Sequence, residues 1–333
     1  MAASPSAIPA WPALGLAISD WPDLTRHFER EYGPSSTMDR PGLRIERLAG
    51  PAGAPTKGAV KRARHKTTSW AVRLAEPSAD PLVAALSIRG VFGRSLVQSL
   101  LVEPLLTVSL LRSDRALVPA AGLVVGDRAL LLVGASRSGK STLAMRGWSR
   151  GLRLLGDDRI MVSPDGLVSA FARRLRLYPD LRSTAPEAYR RLSRRARLSL
   201  RAASGIRTVT RGWVALPALA PWSAVVGTAP PPSQLGRLVV IERDSEAREL
   251  RWIDGIEPAM ARLAAVLDRD LRTLSDHGGG WSEEASLARA RAIDVVREAV
   301  GSTGAACGVL VVPGLWAATT ALDAVERELG LTK

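Results

Sequence analysis

Proline and glycine interrupt the first 80 residues often, most densely over Leu48–Gly58 (LAGPAGAPTKG), and the apolar positions there keep no steady period. From Pro81 to Val102 the residues Leu82, Ala85, Leu86, Val91, Leu96, Leu100 and Leu101 recur at helical spacing, with Gly90 and Gly93 among them. That pattern predicts two short helices joined at the glycines. The centre reads more clearly. Arg128 precedes an unbroken apolar run, Ala129–Val133, the pattern of a strand buried on both faces. Gly134–Ser141 is a glycine-bearing loop, and Thr142–Arg150 then reads as a helix stopped by Gly151. Strands at 152–155 and 159–162 flank Gly156-Asp157-Asp158, and Pro164-Asp165-Gly166 turns the chain into a returning strand, Leu167–Phe171. Strand, loop, helix and strand in that order open a parallel α/β sheet.

Beyond this, Arg190–Arg201 predicts a helix with a cationic face, and 216–232, with five prolines, predicts an irregular connection. Arg237–Arg243 and Glu249–Ile253 read as a hairpin around Asp244-Ser245. Helices over 257–274, 282–300 and 317–329, with one apolar strand at Gly308–Val312, complete the chain. No internal repeat is visible. The expected organisation is an N-terminal α+β region over 1–115, loop-rich at its start, and a second domain over 116–333 with a mixed sheet, flanking helices and a helical C-terminal part.

Composition narrows the classes. With 333 residues, 46% hydrophobic and 23% charged, the chain has the balance of a globular protein. No stretch of about 18 uninterrupted apolar residues occurs, and the best candidate, Leu100–Leu111, is broken by Glu103 and Pro104, so no membrane association is expected. The N-terminus lacks a basic region before its apolar residues, which points to a cytoplasmic location. One cysteine, Cys307, excludes an internal disulfide and a cysteine zinc site; it precedes a buried strand and reads as an inert core thiol. His27, His65 and His277 are too scattered for a histidine cage, and His277 beside three glycines reads as part of a linker. The tryptophans, Trp70, Trp213, Trp252 and Trp316 among them, sit in apolar surroundings and read as core.

The net charge of +14 changes the picture in one respect. Only five basic residues are lysine (57, 61, 66, 140 and 333) against 41 arginines, so a genome rich in arginine codons accounts for the charge as well as a polyanionic partner does. Aromatic content of 5% and the absence of a stacking pattern argue against nucleic acid, and the basic run Lys61–Lys66 reads as a solvated loop beside a strand.

Gly134-Ala135-Ser136-Arg137-Ser138-Gly139-Lys140-Ser141 fits the phosphate-binding pattern G-x-x-x-x-G-K-[ST] at every fixed position, with Thr142 opening the helix behind it. With 29 glycines and five lysines in the chain, about 0.005 such matches are expected by chance. The chemistry explains the spacing. Glycines let backbone N–H groups curl around phosphate oxygens at a helix N-terminus, Lys140 reaches the β- and γ-phosphates, and the Ser141 hydroxyl binds Mg²⁺. Asp157 and Asp158 follow at the end of the next strand, 17 and 18 residues after Lys140, where one carboxylate can hold Mg²⁺ and the other can accept a proton from an attacking hydroxyl. A nucleotide and Mg²⁺ are therefore the expected ligands.

The run GASRSGKSTLAMRGWSRGLRLLGDDRIMV resembles the nucleotide-binding core of the HPr kinase/phosphorylase family, with its phosphate loop, short helix, glycine and strand ending in Asp-Asp. Looser echoes are Ala120–Leu123, Leu175–Asp180 (LRLYPD), Arg211–Pro217 and Arg237–Arg243, so the likeness spans about residues 82–260. It implies ATP-dependent phosphorylation of a serine on a peptide or protein, with Asp157 as base and Asp158 at the metal. The chain resembles the stand-alone branch that modifies lasso-peptide precursors better than the carbon-regulation enzymes. Val118 and Pro119 stand where the family carries the histidine tied to the reverse, dephosphorylating reaction.

Rival readings are narrower. A transporter ATPase needs an apolar strand ending in Asp-Glu, whereas Gly308–Val312 ends in Pro313-Gly314. A switch GTPase needs N-K-x-D, and the chain has no asparagine. A small-molecule hydroxyl kinase and a non-catalytic nucleotide-binding regulator stay open, as does a homo-oligomer. For the substrate, Ala188–Ile241 contains no acid and nine arginines; Arg190, Arg194, Arg197 and Arg201 would share one helical face and suit an acidic peptide.

Overall fold

The computed structural model describes residues 6–9, 15–19, 21–33, 41–48, 60–65, 68–90, 93–171, 173–210 and 217–331. Most of Leu48–Gly58, Lys66, Trp213 and all but the last residue of Arg211–Pro217 lie outside the described residues. Two compact units are present, Met1–Leu117 with Leu267–Ala292, and Val118–Val266 with Ile293–Lys333. The first boundary falls beside the expected 115/116 junction, and 267–292 groups with the N-terminal part.

The first unit contains β1 (Ser6–Pro9), β2 (Gly15–Ile18), α1 (Pro22–Tyr32), β3 (Pro41–Arg47), β4 (Lys61–His65), β5 (Thr68–Leu74), β6 (Leu82–Arg89), α2 (Gly93–Val97), a π-helical turn (Gln98–Val102) and α3 (Glu103–Leu111). Its sheet runs β1-β2-β3-β6-β5-β4, with β3 parallel to β2 and β6. Two expectations fail here. Residues 82–89 form a strand, because Leu82, Ala84 and Leu86 are fully buried at every second position, a period that overlaps the helical spacing. The basic run is the edge strand β4 rather than a loop, and charge on an edge discourages further pairing.

The helix runs on through Glu103-Pro104, the two residues that interrupt the apolar run Leu100–Leu111. Proline removes an N–H and crowds the carbonyl one turn back. The preceding π-turn, closed by the Glu103 N–H donating to Gln98 O, widens the helix where that crowding falls. The resulting helix, Gly93–Leu111, is long and apolar enough to cross a membrane, with 72% of its window buried inside the protein. Glu103, buried within it, accepts from Gln98 Nε2 at 3.1 Å and from the Tyr32 hydroxyl at 3.4 Å.

After β7 (Ala116–Val118), the second unit holds β8 (Ala120–Val125), β9 (Arg128–Gly134), α4 (Lys140–Ser149), β10 (Arg153–Gly156), β11 (Ile160–Val162), β12 (Leu167–Ala170), β13 (Leu175–Leu177), α5 (Leu181–Thr184), α6 (Pro186–Arg191), α7 (Arg194–Val209), β14 (Ala218–Ala220), α8 (Trp222–Val225), β15 (Ser233–Asp244) and β16 (Arg251–Asp254). The long helices α9 (Ile256–Ser275) and α10 (Trp281–Thr303), then β17 (Ala306–Pro313) and α11 (Ala318–Glu328), follow. The sheet is mixed, as expected for this part of the chain. Strand β9 is parallel to β15, and β15 to β17, while β8 lies antiparallel between β9 and β10. The expected hairpin at 237–253 is absent, because β16 pairs with β17 and not with β15. Within 216–232 the short strand β14 forms and pairs with β13.

The tryptophans divide. Trp70 is buried, and Trp252 and Trp316 are half-buried. His277 sits in the α9–α10 turn with Nδ1 2.7 Å from Thr273 O. Cys307 is half-buried at the start of β17, and burial pushes its thiol up to about 11, away from reactivity.

Helix α11 is tied to α4 by charge in the interior. Glu326, 1% exposed, accepts from Arg146 Nη1 at 2.9 Å and from both terminal nitrogens of Arg150 at 2.9 and 3.1 Å. Removing one partner of a buried ion group leaves the others uncompensated. Glu326→Ala should therefore destabilise the second unit by about 3 kcal/mol, read by denaturant unfolding; a change under about 0.5 kcal/mol would show the cluster to be dispensable.

Candidate functional site

The loop 134–141 joins the C-terminal end of β9 to α4. Its backbone explains its glycines. A Cβ on Gly134 would stand 2.5 Å from Ile241 O of the neighbouring strand, and Gly139, at φ +100°, caps α4 in the left-handed region. The Ser138 N–H donates to Ala135 O at 3.2 Å, while the buried Ser138 hydroxyl has no hydrogen-bond partner. The first-turn N–H groups of α4 have no carbonyl one turn back to bond. This is a cradle of donors.

Lys140 is 8% exposed, and its Nζ donates to Gly134 O at 2.9 Å and Ala135 O at 3.0 Å. Burial lowers its pKa, against the opposing charges of Asp158 and Asp157. The Ser141 hydroxyl donates to Asp157 O at 2.7 Å, which joins the loop to the Asp-Asp turn after β10. All of the sequence-predicted loop residues and both carboxylates therefore meet at one end of the sheet.

The two acids are held differently. Asp157 is 4% exposed; burial pushes its pKa up to about 6, against the pull of Arg173, and its Oδ2 accepts the Arg176 N–H at 3.0 Å. Burial also opposes charge on Asp158, but the guanidiniums of Arg173, Arg159 and Arg176 outweigh it and hold this carboxyl well below the usual range. Arg173, itself 2% exposed, pairs directly with Asp158, and Arg176 Nη1 lies 3.9 Å away. One group is ready to take a proton and the other stays an anion. Arg159, Arg173 and Arg176 escaped the sequence reading. Their signal, Arg173-Arg174-x-Arg176 ahead of LYPD, is hidden by the abundance of arginine.

Among the described residues, no three His, Cys, Asp or Glu side chains gather as a metal cage. A magnesium ion that keeps its waters and shares phosphate oxygens needs only one or two protein ligands, so Ser141 and Asp158 suffice in type. The orphan Ser138 hydroxyl, the free helix start and Lys140 fit a phosphate chain.

The expected cationic stripe is interrupted. Arg190 lies in the last turn of α6, which ends at Arg191, and Leu192-Ser193 separates it from α7, where the Ser193 hydroxyl accepts the Ala196 N–H at 3.2 Å as a cap. Arg194, Arg197 and Arg201 keep a common face on α7, and Leu198, Ile206 and Val209 of the same helix are exposed. Helix α7 packs on β14, the partner of β13, whose Arg176 N–H holds Asp157.

In comparison with known proteins, the chain matches no protein-family model and no curated protein at a significant level of similarity.

The raised Asp157 pKa has a stability sign. Between the ordinary carboxylate value of 3.8 and about 6 the folded chain binds more protons than the unfolded one, so ionising Asp157 costs stability as pH rises through that window. Asp157→Asn should unfold at a higher temperature than wild type at pH 8, with the gap closing toward pH 4. A gap that widens toward pH 4 would reverse the assignment.

Proposed function

We propose that this chain is an ATP-dependent kinase of the HPr kinase/phosphorylase type that phosphorylates a serine, or another hydroxyl, of a peptide or protein in the manner of the lasso-peptide precursor kinases. One observation carries the reading: a buried carboxylate with its pKa near 6, Asp157, is hydrogen-bonded through its own carbonyl to the serine of a G-x-x-x-x-G-K-S loop. A pure nucleotide binder gains nothing from a carboxylate kept basic in a dry site.

The loop N–H groups and Lys140 would hold the β- and γ-phosphates, Lys140 turning from the carbonyls of Gly134 and Ala135 to do so. Ser141 and Asp158 would hold Mg²⁺. Bound Mg·ATP supplies the phosphoryl group and neutralises its charge. Asp157 accepts the proton of the acceptor hydroxyl as that oxygen forms its bond to the γ-phosphorus and the bond to the β-phosphate oxygen breaks. Arg173 and Arg176 keep Asp158 ionised throughout. The basic face of α7, Arg194, Arg197 and Arg201, would receive an acidic peptide; Arg190 stands apart from it.

ADP release and peptide mass, measured with Mg·ATP and serine-bearing acidic peptides, test the reading. Lys140→Ala should abolish transfer in a folded protein. Asp157→Asn should keep Mg·ATP binding by calorimetry and lose at least about 100-fold in kcat, and Asp158→Asn should raise the Mg²⁺ requirement. Wild-type kcat should rise with pH through about 6 as Asp157 ionises. Full turnover in Lys140→Ala would end the proposal.

Replacing Arg194, Arg197 and Arg201 with glutamine together should raise peptide KM, more at low salt than at high, and leave KM for ATP unchanged. An unchanged peptide KM would assign those arginines to background composition.

A further inference from the structure

The loop's two flanks differ in character. On one flank β10 leads into the Asp157 turn, with its arginines and the β13–β14 ribbon that carries α7. On the other, β15 and β17 run parallel to β9, with Gly134 level with Ile241 and Ile241 level with Leu310. Two strand spacings, about 10 Å, separate β9 from β17. Strand β17 then runs on to Pro313, and Gly314-Leu315-Trp316 leads into α11 at the strand ends where ligands of open α/β sheets bind.

This turn is fixed. The Gly314 N–H donates to Asp244 O at 2.6 Å, and Arg243 Nη2 donates to Gly314 O and Trp316 O, each at 3.0 Å. Trp316 packs partly against the core of the second unit, while Leu315 is 85% exposed. Helix α11 starts here and runs alongside α4. Leu322 lies 3.1 Å from where a Cβ on Gly139 would be, and Glu326 meets Arg146 and Arg150 further along. At 1.5 Å per residue, Ala318 stands about 6 Å beyond Leu322, so the turn rises past the loop on the flank opposite the carboxylates.

We propose that Leu315 and Trp316 form the platform for the base of the nucleotide whose phosphates the 134–141 loop holds, a purine nucleoside triphosphate lying across the strand ends from Gly139 toward β17. The proposal rests on the phosphate-loop reading above and adds where the base goes. The carboxylate flank is charged and committed to the acceptor. The β17 flank offers the apolar surface that a flat base covers, and Arg243 supplies the rigidity that makes stacking favourable.

Calorimetry on the full chain, with Mg·ATP and with Mg²⁺ and inorganic tripolyphosphate, separates base from phosphates. The wild type should bind ATP more tightly than tripolyphosphate. Leu315→Asp and, independently, Trp316→Ala should each weaken ATP about tenfold and leave tripolyphosphate unchanged. The Leu315 variant guards against misfolding, since its side chain stands in solvent. Equal wild-type affinities, ATP binding undiminished in both variants, or loss of both ligands in Leu315→Asp would overturn the platform. A wild type that binds neither ligand would overturn the phosphate-loop reading itself, and the platform with it.

Discussion

The second unit depends on a carboxylate that never meets solvent. Glu326 draws the guanidiniums of Arg146 and Arg150 onto one face of α4 and so fixes the helix whose first turn is the phosphate-type loop. Asp323 adds a second acceptor to Arg146 at 2.6 Å, and Arg150 also reaches Leu331 O at 3.1 Å, so the chain's C-terminal helix is sewn to α4 along its length. Burying three charges costs desolvation, and the return is orientation. A cradle of backbone donors keeps its shape only when the helix it opens is held in place.

The same electrostatics separates two neighbouring carboxylates. Asp157 and Asp158 are adjacent in sequence, yet one has its pKa raised to about 6 and the other is held well below the usual carboxylate range. The difference is geometric. Arg173 pairs with the Asp158 side chain, whereas Asp157 receives a backbone N–H from Arg176 and is otherwise enclosed. In a chain with 41 arginines, the electrostatics of this turn are set by the few that are buried against an acid and not by their number.

Much of the central strand–loop–helix was legible because its signals are local. Ala129–Val133 could only be a buried strand, the loop pattern fixes four positions of eight directly ahead of its own helix, and the Asp-Asp pair follows at a strand end. The strand at 82–89 was misread because Leu82 and Leu86, four residues apart, fit both a helical and an alternating period, and only burial between β3 and β5 decides. The 237–253 segment was misread because a turn signal says nothing about β17, which arrives more than 50 residues later and takes the place beside β15. The arginines that tune the carboxylates were hidden for a compositional reason: a residue type this common carries little information at any one position.

The apolar helix Gly93–Leu111 has a consequence for how the chain is made. Outside its fold this segment is greasy enough to seek lipid or another chain, and its buried Glu103 has no solvated alternative once the helix is enclosed. Every strand of the first unit's sheet precedes it in sequence. Synthesis from the N-terminus therefore delivers β3, β5 and β6, the strands against which α2 and α3 pack, before the helix itself, while residues 267–292 of the same unit arrive later.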